Sequence, residues 1–116
     1  MSEAATLAAI RLALGTNLNL RMFRNNVGVL HDRNGRPVRF GLFPGSSDLI
    51  GWRTVTVTQD MVGKNLAVFA AIEVKTQTGR PTIEQSQFLN AVMAAGGFAD
   101  VARSPEQALA ALGIPA

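Results

Sequence analysis

The stretch Leu66-Ala67-Val68-Phe69-Ala70-Ala71-Ile72-Glu73-Val74-Lys75 is apolar without interruption until two charges close it. So continuous a run reads as a strand buried on both faces in the middle of a sheet. Side chains alternate along a strand, so Glu73 and Lys75 share one side while Ile72 and Val74 point to the other. An isolated buried charge is too costly to keep. This carboxylate and ammonium therefore need each other, a metal ion, or a cleft mouth open to water. Upstream, Gly45-Ser46-Ser47-Asp48-Leu49-Ile50-Gly51 offers a further carboxylate at the start of a strand. Cleaving a phosphodiester requires an activated water and charge to stabilise the developing phosphorane, and a hard cation held by carboxylates supplies both. Asp48 and Glu73 supply two oxygen ligands and the Val74 backbone carbonyl a third. Lys75 stands where it can orient or deprotonate the water, or neutralise the phosphate.

Outward from this pair, the chain order is helix, four or five strands, helix, strand, helix. Ser2 caps an amphipathic helix over 4–14, with Leu7, Ile10 and Leu14 on one stripe and Gly15 at its end. Strands follow at 20–24 and 29–30, then a polar turn over 31–37 with Asn34-Gly35 at its tip, and a strand at 38–42 that pairs back. Residues 48–52 begin another strand, and Thr54-Val55-Thr56-Val57-Thr58 has the alternation of a half-exposed one. A loop over 59–65 leads into the strand of 66–75. Thr82 caps a helix reaching about Ala95, with Phe88, Leu89, Val92 and Met93 on its inner face. Gly96-Gly97 stops it, 98–102 is a closing strand, and Ser104-Pro105-Glu106 opens a last helix through Leu112. The order implies an α/β fold with a mixed central sheet flanked by helices and a parallel, right-handed crossover from Lys75 to Phe98.

At 116 residues the chain reads as a single domain over 1–116, without repeats or linkers. It has no cysteine and a single histidine, His31, which excludes disulfides, thiolate metal sites and a histidine-rich zinc centre. No apolar run approaches a bilayer span and the first residues do not resemble a signal peptide, so the expected setting is cytoplasmic, with no membrane partner. The net charge is +3, and nine of the eleven basic residues are arginine, six of them from Arg21 to Arg53. Arginine grips phosphate bidentately, and a cationic surface is the footprint of a nucleic-acid partner. A solvated basic face is the plainer reading.

Several short motifs occur in a fixed order: Arg24-Asn25-Asn26-Val27-Gly28, then Phe40-Gly41, the glycine and serine turn into Asp48, and Glu73-Val74-Lys75. Gly79-Arg80 with Glu84-Gln85 follows, and then Ala95-Gly96-Gly97. Together they resemble the VRR-Nuc domain, a branch of the PD-(D/E)XK nuclease superfamily, over nearly the whole chain. The resemblance implies a restriction-endonuclease-like fold and an endonuclease dependent on Mg2+ or Mn2+. Asp48, Glu73 and Lys75 match its catalytic core, Glu3 a first-helix glutamate near the metal, and Gln85 a glutamine near the site. It further implies a homodimer that resolves four-way DNA junctions, as stand-alone members of this size do, often in phage. Other readings are a flap- or duplex-directed nuclease and a catalytically silent DNA-binding module. Arg24, Ser46, Ser47, Lys64 and Arg80 are the candidate nucleic-acid contacts. Against these stand simpler roles: a surface ion pair for Glu73 and Lys75, a turn cap for Asp48, a helix-dipole partner for Glu3, and an early-helix polar residue for Gln85.

Overall fold

Each of the three helices starts where a hydroxyl can satisfy a free backbone N–H. In the computed structural model, which describes residues 2–115, Ser2 Oγ accepts from Ala5 N at the start of α1 (Glu3–Gly15). Thr82 and Gln85 form a reciprocal capping box at α2 (Ile83–Ala94), Thr82 Oγ1 accepting from Gln85 N and Gln85 Oε1 from Thr82 N. Ser104 Oγ accepts from Gln107 N at α3 (Pro105–Ala111), with Pro105 at the first helical position. None of these helices is long and apolar enough to cross a membrane. The chain divides after Val55 into two compact units.

In the first unit α1 packs on β1 (Leu20–Arg24), which pairs antiparallel with β4 (Leu49–Arg53). Between them β2 (Gly28–His31) and β3 (Pro37–Phe40) form an antiparallel hairpin. Its tip is set locally. Asp32 Oδ1 accepts from Asn34 N and Arg36 N at 2.8 and 2.9 Å, Gly35 N donates to Asp32 O at 3.0 Å, and Gly35 takes the positive φ of 77° that closes such a turn. Phe23 and Trp52 meet in a tilted ring contact, with centroids 5.7 Å apart.

In the second unit a 3-10 turn (Gln59–Met61) precedes β5 (Ala70–Val74), which pairs parallel with β6 (Phe98–Ala102). The expected parallel crossover is present, with α2 as its connection. Both α2 and α3 pack on β6. Leu89, Val92, Ala99 and Ala102 are the buried apolar residues among those described, Val92 the most completely. Leu89 and Val92 face inward as expected, but Phe88 and Met93 are exposed.

The element order matches the reading of the sequence, but the strands form three two-stranded sheets and not one mixed central sheet. Residues 54–58 are not a strand. Beyond β4 the bond from Thr54 N to Asn19 O follows at 2.7 Å, and among the described residues no partner strand continues the ladder. Alternation favours an extended chain, but only a partner makes it a strand. The apolar run 66–75 is likewise shortened to β5. Its partner β6 begins only after the Gly96-Gly97 stop, so among the described residues no strand pairs with 66–68. Helical cover reaches only part of this pair, and Val74 is 75% exposed rather than buried on the far face.

Candidate functional site

The two parts of the expected centre lie on different units, Asp48 on the first and Glu73 with Lys75 on the second. In the first unit Arg24 pairs with Leu49 at the end of the β1–β4 ladder, so Asp48 stands one residue outside it. There it is held by its backbone. Asn25 N donates to Asp48 O at 2.8 Å, and Arg24 Nη1 reaches the same carbonyl at 3.3 Å and that of Asn25 at 3.1 Å. The Arg24 guanidinium also lies 3.7 Å from Asp48 Oδ1, while the Asp48 side chain remains mostly exposed. This leaves a carboxylate fixed at its root and open at its tip.

Asn25 organises the loop that carries Asp48. It is the one buried polar residue among those described, 9% exposed. Its Nδ2 donates to Ser46 Oγ at 2.7 Å and to Ser47 O at 2.9 Å, and its Oδ1 accepts from Leu42 N at 3.0 Å. Three of the four hydrogen bonds open to an asparagine amide are thus made to one loop. Reading by motif passed over this role. The available signal was a polar side chain in a Val-Gly break between two strands, where loop backbone groups need partners. Ser46 is part of the same network: its hydroxyl accepts from Asn25 and donates to Phe43 O at 2.7 Å. Ser47 is exposed.

In the second unit the alternation rule holds. Lys75 Nζ lies 3.8 Å from Glu73 Oε2, with the two side chains 20% and 28% exposed, so they share one half-buried space at the end of β5. Val74 is the last residue of the ladder, and Lys75 N donates to Ala102 O at 3.1 Å just beyond it. The chain then turns over Thr76 to Gly79, with Gly79 N donating to Thr76 O and Oγ1. Arg103, which leaves β6, clamps this turn: its Nη1 donates to the carbonyls of Thr76 and Gly79. A cleft of about 660 Å³ lies beside it, lined by Gln77, Thr78, Gly79, Arg80, Pro81 and Arg103. Arg103 was also missed, because its targets are main-chain oxygens.

The remaining expected residues are more scattered. Arg80 is exposed at the cleft. Gln85 is half-buried with its carbonyl oxygen engaged by the α2 cap. Lys64 is exposed after the 3-10 turn, and Glu3 is exposed in the first turn of α1, where it complements the helix dipole. Among the described residues no three His, Asp or Glu side chains are grouped. The donors on hand are carboxylates and carbonyls, a hard-oxygen set of the kind magnesium and manganese accept.

Residues 35–106 match the family model described as the VRR-NUC domain. Neither the curated proteins nor the solved structures yield a match.

Proposed function

Because the chain belongs to the VRR-NUC domain family, a nuclease family of the PD-(D/E)XK kind, we propose that it is a metal-dependent, structure-selective DNA endonuclease that resolves four-way junctions as a homodimer. The matched segment begins in the first unit and ends in the second. In this reading both units belong to a single nuclease domain over 1–116. What carries the reading is the half-buried Glu73 and Lys75 pair, set on one side of a strand end inside that segment. An ornamental surface ion pair gains about 0 to 1 kcal/mol and has no reason to sit in a half-buried space.

In this reading Glu73 and the Val74 carbonyl of the second unit, and separately Asp48 and Glu3 of the first, would offer oxygen ligands to Mg2+ or Mn2+, and the ion would supply water activation and charge stabilisation at the phosphate. Lys75 orients the attacking water, or takes its proton, and opposes the charge that builds on the phosphoryl oxygens. Glu73, 3.8 Å from the ammonium, holds Lys75 toward that task. Gln85 supports the site from the start of α2. Arg24, Ser47, Lys64 and Arg80 contact the DNA backbone, whereas the Ser46 hydroxyl is engaged within its own loop and acts on DNA only by shaping it.

The test is cleavage of labelled four-way junction, flap, splayed-arm and linear duplex DNA in magnesium, manganese and chelator, with Lys75→Ala in parallel. Symmetric cutting of the junction, a metal requirement and a dead variant are expected. Cutting of flap or duplex in preference to the junction would replace the substrate and keep the chemistry. A folded protein that binds junctions yet cuts nothing in any metal would leave a DNA-binding module instead.

A further inference from the structure

The β2–β3 hairpin is the part of the first unit that the nuclease reading leaves without a task. Residues 31–39 are all exposed. Arg33 and Arg36 flank the tip, and Arg39 stands opposite Val29 on the ribbon. Among the described residues neither ion pair involves any of these three arginines. The nearby carboxylate, Asp32, is occupied by the backbone N–H groups of Asn34 and Arg36. Three guanidinium groups are thus presented to solvent on a ribbon whose tip is preformed.

The root of the hairpin is equally defined. Asn25 leads into β2, and its side chain is bonded to Leu42, Ser46 and Ser47 on the chain that leaves β3, while its N–H holds Asp48. The ribbon therefore grows from the loop that carries Asp48. Four residues per strand extend about 13 Å, against a major groove about 12 Å wide and 8.5 Å deep that admits a two-stranded ribbon.

We propose that the β2–β3 hairpin is a duplex-binding arm, entering the major groove beside the cleaved bond with Arg33, Arg36 and Arg39 on the flanking phosphates. The proposal rests on the nuclease reading for its partner, DNA. The face of the ribbon opposite Arg39 bears Leu30 and Val38, 66% and 49% exposed. A second copy could cover that apolar face, but it would leave three like charges uncompensated, whereas DNA neutralises them.

The experiment uses the full chain in chelator, so that binding is read apart from cleavage. Affinity for a labelled four-way junction is measured by anisotropy from 50 to 200 mM salt for the wild type and for Arg33→Ala/Arg36→Ala/Arg39→Ala. Three lost phosphate contacts reduce the logarithmic salt slope by about 2.7, so the wild type weakens about 40-fold more than the variant across that range. A charge-matched control, Arg11→Ala/Arg21→Ala/Arg53→Ala, is expected to keep most of the slope. Equal loss in both variants would mean general charge and would overturn the arm.

Hydrogen exchange of the unmodified protein gives an independent reading that needs no variant. Protection of residues 28–40 on adding junction DNA is expected. Absence of protection overturns the proposal, as does protection that appears with protein concentration alone, which would assign the face to a second copy. Wild-type cleavage in magnesium and manganese is scored separately. Cutting without hairpin protection sinks the arm alone; protection without cutting sinks the catalytic reading and leaves the arm.

Discussion

Asn25→Ala is the substitution that most directly tests how the first unit holds Asp48. The change removes three side-chain hydrogen bonds, to Ser46 Oγ, Ser47 O and Leu42 N. At about 1 kcal/mol each, their loss sums to about 3 kcal/mol. Leu42 and Ser47 are exposed, so water recovers part of this, and a net loss of about 2 kcal/mol is expected. That is a large share of a typical stability of about 5–15 kcal/mol. For a chain of this length it corresponds to a melting temperature lower by about 8 °C. Circular dichroism melts of wild type, Asn25→Ala, Ser46→Ala and the double variant provide the assay. Because both single variants break the same Asn25 to Ser46 bond, the double variant should cost about 1 kcal/mol less than their sum. The Asn25 N–H to Asp48 bond survives truncation, so cleavage should fall without vanishing. If Asn25→Ala melts within about 2 °C of wild type, or the two losses simply add, the hub carries no stability and the placement of Asp48 has another cause.

Two further substitutions probe the frame around the site. Arg103→Ala releases the carbonyls of Thr76 and Gly79 beside Lys75; single-turnover cleavage should fall about 10-fold while junction binding in chelator stays nearly constant, because a loosened turn costs positioning more than affinity. Arg103→Lys should not restore the rate, since a lone ammonium does not reproduce the planar fork. Gly51→Ala would place a Cβ 1.9 Å from Arg21 O and 2.8 Å from Met22 Cα, both backbone atoms that cannot swing aside. Forcing β1 and β4 apart should cost about 3 kcal/mol or more, visible as an earlier urea midpoint; an unchanged midpoint would mean that the two strands do not pack this closely.

Features set by neighbours a few residues apart were legible in the sequence, and those set by distant partners were not. Ser2, Thr82 and Ser104 each cap a helix because the N–H they satisfy lies three residues on. The Asp32 to Gly35 tip closes on itself in the same way. A ladder depends on what stands opposite. The runs 54–58 and 66–68 have the composition of strands, yet among the described residues neither joins a strand ladder, and no pattern within them reveals this. The site follows the same division. Alternation alone brought Glu73 and Lys75 together, because they are two residues apart on one strand.

Asn25 and Arg103 escaped notice for the complementary reason: each acts largely on main-chain groups many residues away, Leu42 N and Ser47 O for one, Thr76 O and Gly79 O for the other. Every residue offers such groups, so the target leaves no mark on the sequence. Ser46 shows the converse. Beside Asp48 its hydroxyl resembles a phosphate ligand, but the Asn25 amide behind it claims that oxygen first. Since Asn25 also closes the root of the β2–β3 hairpin, the residues that hold Asp48 and those that present Arg33, Arg36 and Arg39 share one set of hydrogen bonds. A change at that root should therefore weaken DNA binding and cleavage together, whereas removing the arginines at the tip should weaken binding first.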